Sequence, residues 1–171
     1  MSAKPEPDDK LAIRHALGEA MMDFVQTIGE KYFRAGDDVM RQVATEKYRQ
    51  AVLHAAGQGI EVSLAWYTLG NWLEEGKDRI GAFSRALECI RAEMASPLPG
   101  HLNDPWVNLH TEAECLYEIG RVHFHEGAPD AARQFLAEAL PLAQQAETLR
   151  TSGKPPGDCL EGKIAALLIQ L

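Results

Sequence analysis

The sequence predicts an all-α fold, a stack of antiparallel helix pairs closed by a C-terminal helix, and three observations carry that prediction. Runs of alternating β-branched residues are missing, as are the Asn-Gly and Asp-Gly pairs that mark hairpins. Ala, Leu, Glu, Gln and Arg, which lose little freedom in a helix, dominate the long segments. Breakers cut the chain into helix-length pieces at Ala35-Gly-Asp-Asp38, Ala56-Gly-Gln-Gly59, Glu75-Gly-Lys-Asp78, Ser96-Pro-Leu-Pro-Gly100, Glu126-Gly-Ala-Pro-Asp130 and Thr151-Ser-Gly-Lys-Pro-Pro-Gly157.

A polar, Pro-containing stretch over 1–8 is expected to be a disordered tail, and 9–171 a single helical domain. Asp9 to Ala20 has helical composition and either lengthens the first helix or forms a short one of its own. Further along, Ala113, Leu116, Ile119, Val122 and His123 recur at helical steps until Gly127-Ala-Pro129, where Pro129 suits the first turn of a following helix. That next helix carries Ala132, Phe135, Leu136, Ala139, Leu140 and Ala143 on one face, so two stripes face each other across a tight turn. Ser96 to Leu109, with three prolines and Trp106, reads as a loop packed on the helices. From Asp158 a last helix over 158–171 aligns Leu160, Ile164, Leu167, Leu168 and Leu171.

The segment Ala113 to Ala146 resembles the tetratricopeptide repeat, a helix-turn-helix unit of about 34 residues. Leu116, Ile119, Gly120, His123, Gly127, Ala132, Leu136 and Ala139 fall in its register without a gap. Small residues such as Gly120, Ala132 and Ala139 let the two arms touch, and larger ones fill the spaces between layers. A second copy over 63–96 aligns Trp66, Leu69, Gly70, Ala82, Ala86 and Cys89. A first copy over 22–55 aligns Val25, Ile28, Gly29, Tyr32 and Gly36, and then Ala44, Tyr48 and Ala51 once three residues are inserted around Asp37 to Gln42. Copies over 22–55, 63–96 and 113–146 would make a minimal three-repeat stack, with 158–171 as its cap.

The resemblance implies a protein-binding module whose first helices line a concave groove. Carried over residue by residue, that groove holds Asp23, Gln26, Glu30, Phe33 and Arg34; then Leu64, Tyr67, Asn71, Glu74 and Glu75; then Glu114, Tyr117, Arg121, Phe124 and His125. Its aromatics suit rigid contact area, and Arg34, Asn71 and Arg121 suit polar groups of a bound peptide. One subfamily grips the C-terminal carboxylate of heat-shock chaperones with Lys, Asn and Arg. This chain has Gln26, Glu30, Thr68, Glu114 and Glu118 there, so that clamp is not expected, and its carboxylates would repel such a tail.

A composition of 46% hydrophobic and 25% charged residues over 171 positions is that of a globular chain. The net charge of −8 opposes a phosphate backbone, so nucleic acid is not an expected partner. No secretory leader and no membrane-spanning run is read, and Cys89, Cys115 and Cys159 leave an odd thiol in any disulfide scheme, which together suggest the cytoplasm. His123 and His125 point about 200° apart on a helix and do not share a metal. His101, His110, Asp104 and Glu112 form only a loose group, and no Gly-rich phosphate loop, GxSxG or HExxH is present. The expectation is therefore a cytoplasmic adaptor or dedicated chaperone, not an enzyme, without cofactor or metal. The alternative is an assembly subunit that self-associates, as a homodimer, through the apolar final helix.

Overall fold

The computed structural model describes residues 7–27, 38–74, 76–95, 105–150 and 160–171, excluding the side chains of 7–9, 11, 26 and 27. Among the described residues the chain is all-helical, with seven α-helices and no strand. It divides into two compact units, Met1–Leu73 and Glu74–Leu171. The expected second copy over 63–96 thus has its first helix in one unit and its second in the other.

In the first unit, α1 spans Pro7–Thr27, α2 Asp38–Gly57 and α3 Ser63–Trp72. Asp9 to Ala20 belongs to α1 and is no separate helix. The helix begins inside the stretch expected as a tail, at Pro7, whose fixed φ suits a first helical residue. α2 is helical from Asp38 through Gln42, so no loop occupies that part of the region where an insertion was expected.

The end of α2 is set by Gly59, whose φ of 73° lies in the left-handed region that favours glycine. Ile60 N–H donates to the Ala55 carbonyl and Gly59 N–H to that of Ala56, both at 2.9 Å, which is the Schellman pattern of helix termination. Ile60, just past the turn, is buried.

An aromatic cluster holds this unit together. The Phe24 ring of α1 stacks on Tyr48 of α2 at 4.6 Å between centroids and meets Trp72 of α3 edge-on at 5.8 Å. The Tyr48 hydroxyl donates to the Ala65 carbonyl at 3.1 Å, so one side chain of α2 is fixed to both neighbouring helices.

In the second unit, α4 spans Lys77–Ala95, α5 Pro105–His125, α6 Pro129–Leu149 and α7 Leu160–Ile169. Trp106 to Leu109, expected in a loop, form the first turns of α5. Proline density suggested the loop; Pro105, however, stands at the helix start, where a missing N–H costs nothing. Residues 96–104 of that expected loop lie outside the described residues.

α5 and α6 form a hairpin around Gly127, φ 75°, with a second Schellman turn: Ala128 N–H donates to the His123 carbonyl at 2.9 Å and Gly127 N–H to that of Phe124 at 3.1 Å. Pro129 opens α6 as its spacing predicts. The two helices approach closely at Gly120, where a Cβ would stand 2.9 Å from Leu136 Cγ and 3.3 Å from the Ala132 carbonyl oxygen. Ala113, Leu116, Ile119, Val122, Ala132, Leu136 and Ala139 are fully buried around that point, and each large side chain among them contributes on the order of 2 kcal/mol of apolar burial.

α6 continues past Pro141, which has no N–H to offer the Ala137 carbonyl four residues back. Ala137 is on the exposed side of the helix, so that carbonyl is open to solvent. α7 packs on α6 and α5. Its Leu160 and Ile164 are buried, and Leu167, Leu168 and Leu171 are half-buried.

Candidate functional site

Tyr117, Arg121, Phe124 and His125 fall at intervals of four, three and one along α5 and so share one side of it. The steps through Leu116, Ile119 and Gly120 face the core instead. Tyr117, Arg121 and Phe124 are half-buried and His125 is exposed, with the Phe124 and His125 rings in edge contact at 5.6 Å. This group is the part of the expected groove that the structure brings together within one unit.

Arg121 is engaged from within the chain. Its Nε and Nη2 donate to Glu118 Oε2 at 3.1 and 2.9 Å, and Arg79 Nη2 of α4 donates to the same oxygen at 2.8 Å. The Arg79 guanidinium also lies over the Phe83 ring, 5.5 Å from its centroid. Glu118, expected to repel an acidic tail, therefore has its charge offset by two guanidinium groups, and it ties α4 to α5. The half-buried setting of all three side chains strengthens these bonds relative to a solvated pair.

The other expected positions are more scattered. Tyr67 is half-buried on α3; Asn71 is exposed and donates through Nδ2 to the Tyr67 carbonyl at 3.2 Å, turned back on its own helix. Glu74 is exposed just beyond α3. Gln26 is in α1 with its side chain outside the described residues, as Glu30, Phe33, Arg34 and Glu75 are entirely. Leu64 and Asp23 are exposed and Glu114 is half-buried, with its Oε2 3.8 Å from His110 Nε2.

His123 takes the place of an aromatic in the repeat pattern by behaving as one: its ring stacks on Phe135 at 5.5 Å with planes 13° apart. Of the loose His and carboxylate group, His101 and Asp104 lie outside the described residues, and Glu112 is buried with Arg91 Nε donating to its Oε1 at 2.7 Å. Among the described residues no three His, Cys, Asp or Glu side chains stand where they hold a metal ion together. Cys89 and Cys115 are buried free thiols, and burial pushes the Cys115 thiol far above its usual range, which favours the protonated form.

Two features escaped the sequence. Arg91 of α4 holds Glu112 of α5 and also Glu138 of α6, stitching three helices from one guanidinium. Between α1 and α2 lies a cleft of about 180 Å³ lined by Ala20, Asp23, Phe24, Met40, Val43, Ala44, Lys47 and Tyr48. The sequence signal for the cleft is Val39, Met40 and Val43, three apolar residues within five positions of α2.

Comparison with known proteins finds no matching family model, no matching curated protein and no matching solved structure. Function therefore rests on the chain's own surfaces. No helix among the described residues is long and apolar enough to cross a membrane.

Proposed function

We propose that the chain is a protein-interaction module of tetratricopeptide-like build, a cytoplasmic adaptor or dedicated chaperone that holds a segment of one partner protein against the first helices of its repeats. The observation that carries this reading is the side of α5 presenting Tyr117, Phe124 and His125 while Gly120, on another side, seats the same helix against α6. A helix anchored so closely on one side and aromatic on another supplies rigid contact area with little ordering entropy left to lose on binding.

Arg79, Glu118 and Arg121 support the same reading as a scaffold: they orient the α5 surface. Contact with the partner falls to Tyr117, Phe124 and His125. Self-association through the final helix has less support, because Leu160 and Ile164 are buried within the unit and Ile169, 86% exposed, is the large apolar side chain of α7 that stands in solvent.

The test is retention of partners from the native lysate by the tagged chain and by its Tyr117→Ala/Phe124→Ala variant, with circular dichroism to show that the variant is folded. Loss of a protein that the wild type retains is the expected result. Identical retention by the folded variant overturns the proposal.

A further inference from the structure

The cleft between α1 and α2 has an apolar floor and two opposite charges on its walls. Phe24 and Tyr48 are buried beneath it, Met40 and Val43 stand 41% and 45% exposed on its α2 side, and Val39, 67% exposed, extends the apolar ridge one turn outward. Asp23 comes from α1 and Lys47 from α2, and both are exposed. Among the described residues neither side chain enters an ion pair or a hydrogen bond. One surface thus combines a ridge (Val39, Met40, Val43), a recess beside it, one unpaired acid and one unpaired base.

We infer that this surface is a contact between two copies of the chain, the ridge of each α2 seated in the other's cleft, with Asp23 of one copy facing Lys47 of its partner. A two-fold contact presents the same patch from both sides, so it requires a patch that complements itself in shape and in charge. The cleft does both. A ridge lies beside a recess, and the acid and base are on opposite helices, so a two-fold axis running along the cleft brings unlike charges together twice. In a chain of net charge −8, most pairs of surfaces repel; the lining of this one sums to zero, with Asp23 against Lys47. This interface uses no residue of the α5 surface and stands or falls without it.

Sedimentation equilibrium of the full chain over a wide concentration range tests the inference, using two single charge reversals at exposed positions, Asp23→Lys and Lys47→Glu. The wild type is expected to dimerise. Each reversal places like charges opposite each other twice and is expected to weaken the dimer about tenfold or more. Mixing the two variants restores both unlike pairs, so a heterodimer of near wild-type affinity is expected from two weakly associating proteins. Three results overturn the inference: a wild type that is monomeric throughout, which leaves the cleft to a different protein; a dimer that neither reversal weakens; or a mixture that associates no better than its components.

Discussion

Gly120 and Leu136 are in contact across the α5–α6 hairpin so closely that the hydrogen of the glycine occupies the only space available: a methyl group there would meet Leu136 Cγ at 2.9 Å. Leu136 is fully buried and the Ala132 carbonyl oxygen lies 3.3 Å from the same point, so neither neighbour has an open direction in which to move.

Gly120→Ala is therefore expected to destabilise the second unit by about 1–2 kcal/mol, the overpacking penalty exceeding the roughly 1 kcal/mol that alanine gains over glycine in a helix. Gly120→Val is expected to lose more, about 3 kcal/mol. Urea unfolding measures both. In a Leu136→Ala background the penalty of Gly120→Ala is expected to shrink or reverse, and equal penalties in the two backgrounds would refute the contact as its cause.

Gly127 provides the opposite case, because a Cβ there meets nothing within 4 Å while its φ is 75°. Gly127→Ala is expected to cost about 1 kcal/mol from backbone strain alone, and Gly127→Asn distinctly less, since asparagine tolerates the left-handed region. A thermal melt ranking glycine, asparagine and alanine in that order is the expected outcome.

Arg91→Ala is expected to destabilise by about 1–3 kcal/mol, because it leaves the Glu112 carboxylate, 6% exposed, without its 2.7 Å donor. Glu138→Ala removes only the exposed arm of the same network and is expected to cost about 0.5 kcal/mol. If denaturant unfolding finds the two variants equal, Glu112 is not held by Arg91 in solution.

Tyr48 makes the stability of the first unit sensitive to alkali. Burial holds its hydroxyl well above the ordinary tyrosine range, with a hydrogen bond to the Thr68 side chain as a smaller opposing influence. Above about pH 10 the unfolded chain releases this proton while the folded chain keeps it, so the folded state binds more protons and stability falls as pH rises. Tyr48→Phe lacks this titration and also leaves the Ala65 carbonyl without its donor. It is expected to be about 1–2 kcal/mol less stable than the wild type near neutral pH, with the gap closing above about pH 10. A gap that stays constant through that range would count against a buried, protonated Tyr48.

The hairpin of α5 and α6 was legible in the sequence because everything that shapes it is local or periodic: Gly127 and Pro129 punctuate it, and Gly120, Ala132 and Leu136 recur at fixed steps. Pro105 misled because proline opens helices as well as breaking them, and composition alone does not say which. Arg91 joins partners 21 and 47 residues away on separate helices, a pairing that no spacing rule encodes. The α5 surface was legible as a set of positions, Tyr117, Arg121, Phe124 and His125. The engagement of Arg121 with Glu118, and of Asn71 with its own helix, depends on rotamers that only the packed structure fixes.

Pro141 gives α6 an uneven resistance to heat. The N-terminal part of the helix has its hydrogen-bond ladder and the Gly120 contact acting together, whereas at Ala137 the ladder misses a rung on the solvent side. Beyond Pro141 the helix depends on its seating, with Ala143 and Ala146 buried and Gln144 Nε2 donating to Glu161 Oε1 of α7 at 2.9 Å, so heat is expected to loosen the last two turns together with α7 while Ala132 to Leu136 remain seated on α5.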